Sequence, residues 1–477
     1  MNLTQEQQDV VDYIQQSTQD ELILIDSVAG SGKTTLLKAI ATALPNQKGL
    51  YLAYNKAIAT SSQRKFPQTI DCRTTHSLAY KATVVPMRLY VGFFGPKQID
   101  NKIPYKDKVM LVEDIREFSL SKYLTYDEYA ADYGRLNQGQ ANKYLNLMAT
   151  GKIECTHDFY LKMLHMGLAN GTIQYPKQDL LMLDEAGDLN EVTLEIFKLM
   201  PAKIKVAVGD PHQNIYTFNH TINCFDKLKD QGVTFKLSKS FRVPQHIAGP
   251  VQRFCNKYLN PDMEFQGIEV DESATNIKTR GYISRTNSEL IAKLIELNNE
   301  GTPYGLVRKA QDIFKTALMV AGLKYQGKIY DTAYKHIQSD VDDWYENKNN
   351  VRTTSGSPLA YLRSLYEDDI GLCQAINLVN KHTKSGIFDA YAEAKKHENK
   401  KQDFMLLTAH SSKGLEFDEV ILAPDMNSSI ELVTTLIDEE GPEAIKGLSV
   451  PEIESLNLYY VACTRAIVRL RNATYLR

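Results

Sequence analysis

The sequence has no run of about 18 apolar residues, so no segment reads as a membrane-spanning helix. Its first residues, MNLTQEQQDV, carry neither the basic nor the apolar region of a secretory leader. These absences predict a soluble protein that stays in the cytoplasm where it is made. Cysteines are few and scattered: Cys72, Cys155, Cys224, Cys255, Cys373 and Cys463 contain no C-x-x-C pair, which argues against a zinc ribbon or a disulfide framework. Reduced thiols fit that compartment. An excess of one charge is also lacking. A formal net charge of −3 over 477 residues excludes a surface coated with positive charge, so any nucleic-acid contact must come from a local groove.

What is present describes an ordinary folded protein. Hydrophobic residues make up 43% and charged residues 24%, outside the low-hydrophobicity range of disordered chains. The length exceeds what one core supports and implies roughly two to four domains. Short apolar runs end in polar or glycine-rich turns at Leu22 to Ile25, Leu50 to Ala53, Leu180 to Leu183, Val206 to Val208 and Val420 to Leu422. Such runs, separated by helical stretches, are the pattern of buried parallel strands and predict an α/β core. Two stretches break the rhythm, roughly 81–165 and 301–400, the second containing the polar linker ENKNNVRTTSGSP (346–358) and the charged KKHENKK (395–401). Both read as insertions.

The strand LILID runs into SVAGSGKTT, and LLKAIATA continues as a helix. Strand, glycine-rich turn and helix together aim backbone N–H groups and a helix N-terminus at phosphate oxygens, here over Ser27, Val28, Ala29, Gly30, Ser31, Gly32, Lys33, Thr34 and Thr35. Lys33 would reach the β and γ phosphates of ATP and the Thr34 hydroxyl would ligate Mg2+. Ser27 stands where the G-x-x-x-x-G-K-[ST] pattern has its first glycine. A phosphate loop also needs a carboxylate on a neighbouring strand end. LLMLDEA supplies Asp184 as the second Mg2+ ligand, with Glu185 beside it to orient or deprotonate the attacking water. The predicted chemistry is nucleoside triphosphate hydrolysis.

With these residues in place, DEAGD resembles the DEAQD box of UvrD/Rep-type superfamily 1 helicases, and further boxes follow in that family's order. LTQEQ (3–7) resembles the adenine-reading Q motif, VGDPHQNIYTF (208–218) motif III, LSKSFR (237–242) motif IV, TAHSSKGLEF (408–417) motif V and YYVACTRA (459–466) motif VI. YNKAIA (54–59) and TTHSLAY (74–80) are most similar to the F-box DNA helicase branch. The resemblance implies two RecA-like P-loop domains with inserted, mostly helical subdomains. It divides the chain into 1A (1–80 and 166–228), 1B (81–165), 2A (229–300 and 401–477) and 2B (301–400). It assigns Gln7 to the base edge, Phe241 to stacking on adenine, Glu416 to the ribose, Gln213 to sensing the γ-phosphate, and Arg242 and Arg465 to stabilising charge on it. It places Asn55, His76, Tyr216, Phe218, Thr408 and His410 on single-stranded DNA, the two aromatic rings as stacking platforms.

The implied activity is an ATP-dependent DNA helicase moving 3′ to 5′ on single-stranded DNA and unwinding duplex. The alternatives are a translocase that displaces proteins without unwinding, and an ATP-gated single-strand clamp. Expected partners are single-stranded DNA, DNA junctions and replication or recombination proteins, with the chain acting as a monomer in a bacterial or phage-infected cell. Motif VI lies close to the last residue of the sequence, and no nuclease domain is expected after it. Two departures stand out: Gly187 replaces the glutamine of DEAQD, which predicts a looser link between hydrolysis and movement, and Asn219-His220 replaces the Arg-Gly that follows motif III.

Overall fold

In the computed structural model, the described residues are 3–135, 138–216, 221–271, 273, 276–329, 335–347, 357–367, 369–398 and 400–476. They form two compact units, residues 1–241 and 242–477.

The first unit is built on a six-stranded sheet of β1 (Glu21–Ser27), β2 (Gly49–Leu52), β3 (Ile70–Arg73), β4 (Gln178–Leu183), β5 (Ala202–Gly209) and β6 (Val233–Leu237), in spatial order β3-β2-β4-β5-β1-β6. Every pairing is parallel. Central strands of a parallel sheet are covered on both faces, which is why β1, β2, β4 and β5 read as near-continuous apolar runs. The helix Gln5–Gln16 starts in a capping box between Thr4 and Gln7, and buries Val10, Val11 and Ile14 against the sheet. The helix Lys33–Ala43 buries Leu36, Leu37 and Ile40 in the same layer. On the other face, Leu24, Leu50 and Leu181 share a core with Phe118, Tyr126, Tyr144 and Phe159 of the helical segment that follows residue 80.

The second unit has a five-stranded parallel sheet: β7 (Arg280–Ser284), β8 (Gly305–Leu306), β9 (Phe404–Thr408), β10 (Phe417–Leu422) and β11 (Ala466–Arg471), in order β8-β9-β7-β10-β11. Glu419 on β10 is buried, and Arg280 of β7 and Arg469 and Arg471 of β11 bring guanidinium nitrogens within 3.1, 3.6 and 2.6 Å of its carboxylate. The helices Ala310–Gln326, Pro358–Leu365, Ile370–Lys381 and Lys384–Lys396 pack with Leu290, Leu294 and Leu406 into one core.

The α/β class agrees with the sequence pattern, but three expected boundaries move. Strand β6 pairs with β1, so the first unit continues to Phe241 and does not stop at 228. The helix His157–Ala169 crosses the expected 165/166 border without a break. Gly305–Leu306 pairs with β9, so the second sheet reclaims the first residues of the expected 301–400 insertion. Among the described residues no helix is long and apolar enough to cross a membrane.

Candidate functional site

The site of the first unit lies at the carboxyl ends of β1, β4 and β5, where an open α/β sheet presents its loops to ligands. The turn after β1 is shaped by Gly30 and Gly32, whose φ angles of 75° and 80° fall in the left-handed region that suits glycine. Gly32 caps the helix Lys33–Ala43 with no side-chain hydrogen bond, which leaves the first-turn amides facing the turn. Ser27, the departure from the glycine pattern, is buried and donates its hydroxyl to the Gly209 carbonyl at 2.6 Å, joining the start of the loop to β5. The Val28 N–H donates to the Leu237 carbonyl at 3.1 Å on the other side. The loop is thereby held from both neighbouring strands.

Asp184 leaves β4 facing this loop. Its Oδ2 accepts the Thr34 hydroxyl at 3.1 Å and the Tyr51 hydroxyl at 2.6 Å, and its Oδ1 accepts the Glu185 N–H at 2.9 Å. Burial, and then the neighbouring Glu185, push its carboxyl above the ordinary range, while Tyr51 and Lys33 oppose them. Lys33 Nζ lies 3.9 Å from Glu185 Oε2. Glu185 has φ 54°, one of three non-glycine residues among those described with positive φ. A left-handed non-glycine residue costs on the order of 1–3 kcal/mol and persists where the surroundings impose it. Here it follows the strand end and turns the Glu185 side chain toward Lys33.

Thr34 Oγ1 and Asp184 Oδ2 form a hard-oxygen pair, and two adjacent carboxylates face one lysine. That donor set suits Mg2+, which takes one or two carboxylates, a hydroxyl, waters and phosphate oxygens.

Motif III follows β5. Gln213 is buried, its N–H donating to the Asp210 carbonyl at 3.0 Å and its Nε2 to Asp210 Oδ2 at 2.7 Å. The backbones of the DEAGD segment and motif III touch: a Cβ placed on Gly187 would lie 2.5 Å from the Asp210 carbonyl oxygen, and one on Gly209 would lie 2.7 Å from the Gly187 nitrogen. The departure at 187 is therefore a packing requirement.

At the other edge of the loop, Gln7 Nε2 donates to the Ser31 carbonyl at 3.1 Å. The Phe241 N–H donates to the Gly30 carbonyl at 2.8 Å, and its ring stands beside Gly32, 48% exposed. An exposed ring and a glutamine amide flank the loop in one unit, whereas the sequence reading had put Phe241 in the second domain. Glu6 supports this edge by accepting the Ser238 N–H at 3.0 Å and its hydroxyl at 2.5 Å.

Sequence reasoning missed Tyr51, Asp210 and the Glu6–Ser238 pair. Asp210 follows the apolar run of β5 as Asp184 follows that of β4, so the same signal could have found it. Tyr51 reads as one more apolar strand residue and gave no signal.

The expected strand-binding residues have local roles as well. Asn55 caps the helix Lys56–Gln63 by accepting from the Ile58 N–H at 2.9 Å. His76 stands edge-on to Tyr160, and burial holds its imidazole below the ordinary range. His76, Tyr54, Asp184 and Asp188 line one cavity of about 120 Å³, which connects the YNKAIA and TTHSLAY segments to the carboxylates. Tyr216 is half-buried, while Phe218, Asn219 and His220 lie outside the described residues.

In the second unit, Thr408 caps the turn Ala409–Ser412 and His410 Nε2 lies 3.2 Å from Glu454 Oε1. Glu416 is exposed just before β10. Arg242 opens the unit on the strand Lys239–Pro244. Arg465 is buried after the helix Val450–Cys463, its Nε donating to the Val461 carbonyl at 2.9 Å and its Nη2 to the Thr464 hydroxyl at 3.1 Å.

Comparison with known proteins adds two family matches: residues 11–219 match an AAA domain, and residues 310–474 match the UvrD-like helicase C-terminal domain. The F-box DNA helicase protein 1 of Schizosaccharomyces pombe is 25% identical across 98% of this chain and 57% of its own length. F-box DNA helicase 1 of Gallus gallus is 24% identical across 98% of this chain and 48% of its own. The chain thus spans about half the length of these curated relatives. Both are eukaryotic, so they lend no support to the expected bacterial or phage source.

Proposed function

We propose that this chain, which matches an AAA domain over residues 11–219 and the UvrD-like helicase C-terminal domain over residues 310–474, is a UvrD-like superfamily 1 helicase related to the F-box branch, an ATP-dependent DNA helicase that moves 3′ to 5′ along single-stranded DNA and separates duplex ahead of it. The observation that carries this reading is the closed set of contacts around the phosphate loop: Lys33 beside Glu185, Thr34 on Asp184, and Gln7 with Phe241 at the loop's edge. A triphosphate on the loop would meet the first-turn amides and Lys33, its base would stack on Phe241, and its γ end would face Glu185 and Gln213. Glu185 would orient the attacking water and accept its proton. Thr34 and Asp184 would hold Mg2+, which when bound supplies charge neutralisation between the β and γ phosphates. Arg242 and Arg465, which the resemblance assigns to the γ-phosphate, would stabilise the charge that develops there, and hydrolysis would drive the movement. Asn55, His76, Tyr216, Phe218, Thr408 and His410 would carry the strand, and Glu416 the ribose.

Two measurements test the proposal. Lys33→Ala should fold and lose ATP hydrolysis, because the lysine is a charge aimed at phosphate; wild-type turnover in that variant refutes the site. A duplex with a 3′ single-stranded tail should be unwound and one with a 5′ tail should not, each base-pair step costing about 1.4 kcal/mol. DNA-stimulated hydrolysis without unwinding of either would favour the protein-displacing translocase, or the clamp if movement is absent too.

A further inference from the structure

The segment that enters the first unit's helical insertion exposes an unusual series of large apolar side chains: Tyr80, Val85, Met87, Tyr90 and Phe93. Tyr90 and Phe93 are 74% and 72% exposed, although Thr83, Val84, Leu89 and Phe94 between and beside them are buried and anchor the segment. Clustered exposed apolar groups on a folded surface mark a binding face.

The backbone at both rings is held in place, and the Phe93 ring is fixed as well. The Phe93 N–H donates to Glu154 Oε2 at 3.2 Å, its carbonyl accepts from Gln98 Nε2 at 2.9 Å, and its ring lies so close over Gly95 that an added Cβ there would meet it at 2.4 Å. The Tyr90 carbonyl accepts the Cys155 N–H at 2.7 Å, and Val91 forms a parallel bridge with Cys155. Arg88 turns the chain between the two groups with a left-handed φ of 53°. A ring fixed in this way loses little freedom on binding.

The charge pattern identifies the occupant. No Asp or Glu occurs between Asp71 and Asp100, while Arg73, His76, Lys81, Arg88 and Lys97 do, in a chain whose net charge is −3. Lys81, Arg88 and Lys97 are exposed among the rings. Glu154, an acid beside Phe93, is engaged by the Phe93 amide. Cations interleaved with exposed aromatics suit a polyanion that offers flat apolar faces, which is single-stranded nucleic acid. The surface also continues from His76, because Tyr160 stands edge-on to both His76 and Tyr80 at 6.0 Å.

We propose that Tyr80–Phe93 is an auxiliary single-strand surface on the first unit, where bases stack on Tyr90 and Phe93 and phosphates pair with Lys81 and Arg88. It extends the strand path beyond His76 and rests on the helicase reading above. The test measures affinity of the full chain for oligothymidylates of increasing length, at several salt concentrations. Tyr90→Leu/Phe93→Leu keeps apolar bulk but removes the rings, and should weaken binding of long strands roughly five- to 150-fold for each lost stack, the equivalent of about 1–3 kcal/mol at 1.4 kcal/mol per tenfold. Tyr90→Phe/Phe93→Tyr keeps both ring faces and should bind like wild type, which also shows that substitution here leaves the fold intact. Lys81→Ala/Arg88→Ala should flatten the salt dependence by about 0.7 in log–log slope per lost cation. Wild-type affinity in the leucine variant overturns the proposal and leaves the helicase reading standing. A wild-type chain that binds no single strand at any length overturns both.

Discussion

Adding one methyl group at Gly187 probes how closely the DEAGD and VGDPHQ segments are packed. Gly187 is absent from the positive-φ residues, so a contact and not a torsion is what a side chain would violate. The added Cβ would sit 2.5 Å from the Asp210 carbonyl oxygen, with the Asp210 carbonyl carbon at 3.3 Å. Carbon and oxygen normally approach to about 3.3–3.6 Å, so one backbone must retreat by roughly an ångström. Overpacking of this kind costs about 1–3 kcal/mol, offset by about 0.4–1 kcal/mol from the stiffer unfolded chain. A net loss of about 1–2 kcal/mol would lower Tm by about 2–8 °C for a unit of this size. Because Asp210 holds both the backbone and the amide of Gln213, Gly187→Ala should also reduce hydrolysis at temperatures where the protein is folded. Gly187→Gln, which restores the DEAQD box, should be worse on both counts. Calorimetry and steady-state ATPase on both variants decide the matter, and an unchanged Tm with wild-type turnover in Gly187→Ala would refute the packing argument.

Two further expectations concern groups that the sequence did not single out or placed only by resemblance. Burial, and then Asp210, push the Asp26 carboxyl up to about 6, with Lys236 opposing. A carboxyl whose folded value is raised binds its proton more tightly than the unfolded chain does, so stability is highest below the unfolded value of about 3.9 and falls as pH rises through about 6. Asp26→Asn should therefore raise Tm at pH 7.5 with the gain vanishing near pH 4, and a gain independent of pH would refute the cause given. For Arg465, Lys is the better substitution than Ala, since it keeps a cation in a buried position while losing the planar fork. Arg465→Lys should bind nucleotide but hydrolyse it poorly, toward the roughly 10³–10⁵-fold loss typical of arginine fingers; normal ATPase would remove Arg465 from that role.

The parts of the fold that were legible are those where burial writes itself into composition. β1, β2, β4 and β5 are covered on both faces, and each appears in the sequence as an apolar run ending at a turn. The edge strands leave weaker traces. β3 alternates buried with exposed residues, and β6, VTFKL, is exposed or half-buried over its first four residues, so neither stood out from the loops around it. The helical insertions were visible as breaks in the strand rhythm. Their edges were not, because Leu24, Leu50 and Leu181 of the sheet share one core with Phe118, Tyr126 and Phe159, and a shared core imposes no change of composition at the border.

The same physical reason explains why the placement of Phe241 was missed. Its residue type and its box suggested an adenine platform, but its unit depends on β6, whose pairing with β1 carries the chain back to the phosphate loop before it departs. Once β6 is in the first sheet, the Phe241 amide reaches the Gly30 carbonyl and Ser240 donates to the Ala29 carbonyl at 2.8 Å. The Phe241 ring and the glycine-rich loop are then parts of one edge, tied also through Glu6 to Ser238 and Gln7 to Ser31. On the proposed roles, nucleotide affinity should reside in the first unit, with Gln7, the loop and Phe241 acting together, while substitutions at Arg242 and Arg465 should affect turnover. The unit that Phe241 belongs to is decided by one polar edge strand, and on the proposed roles that division separates the substitutions expected to weaken binding from those expected to weaken only hydrolysis.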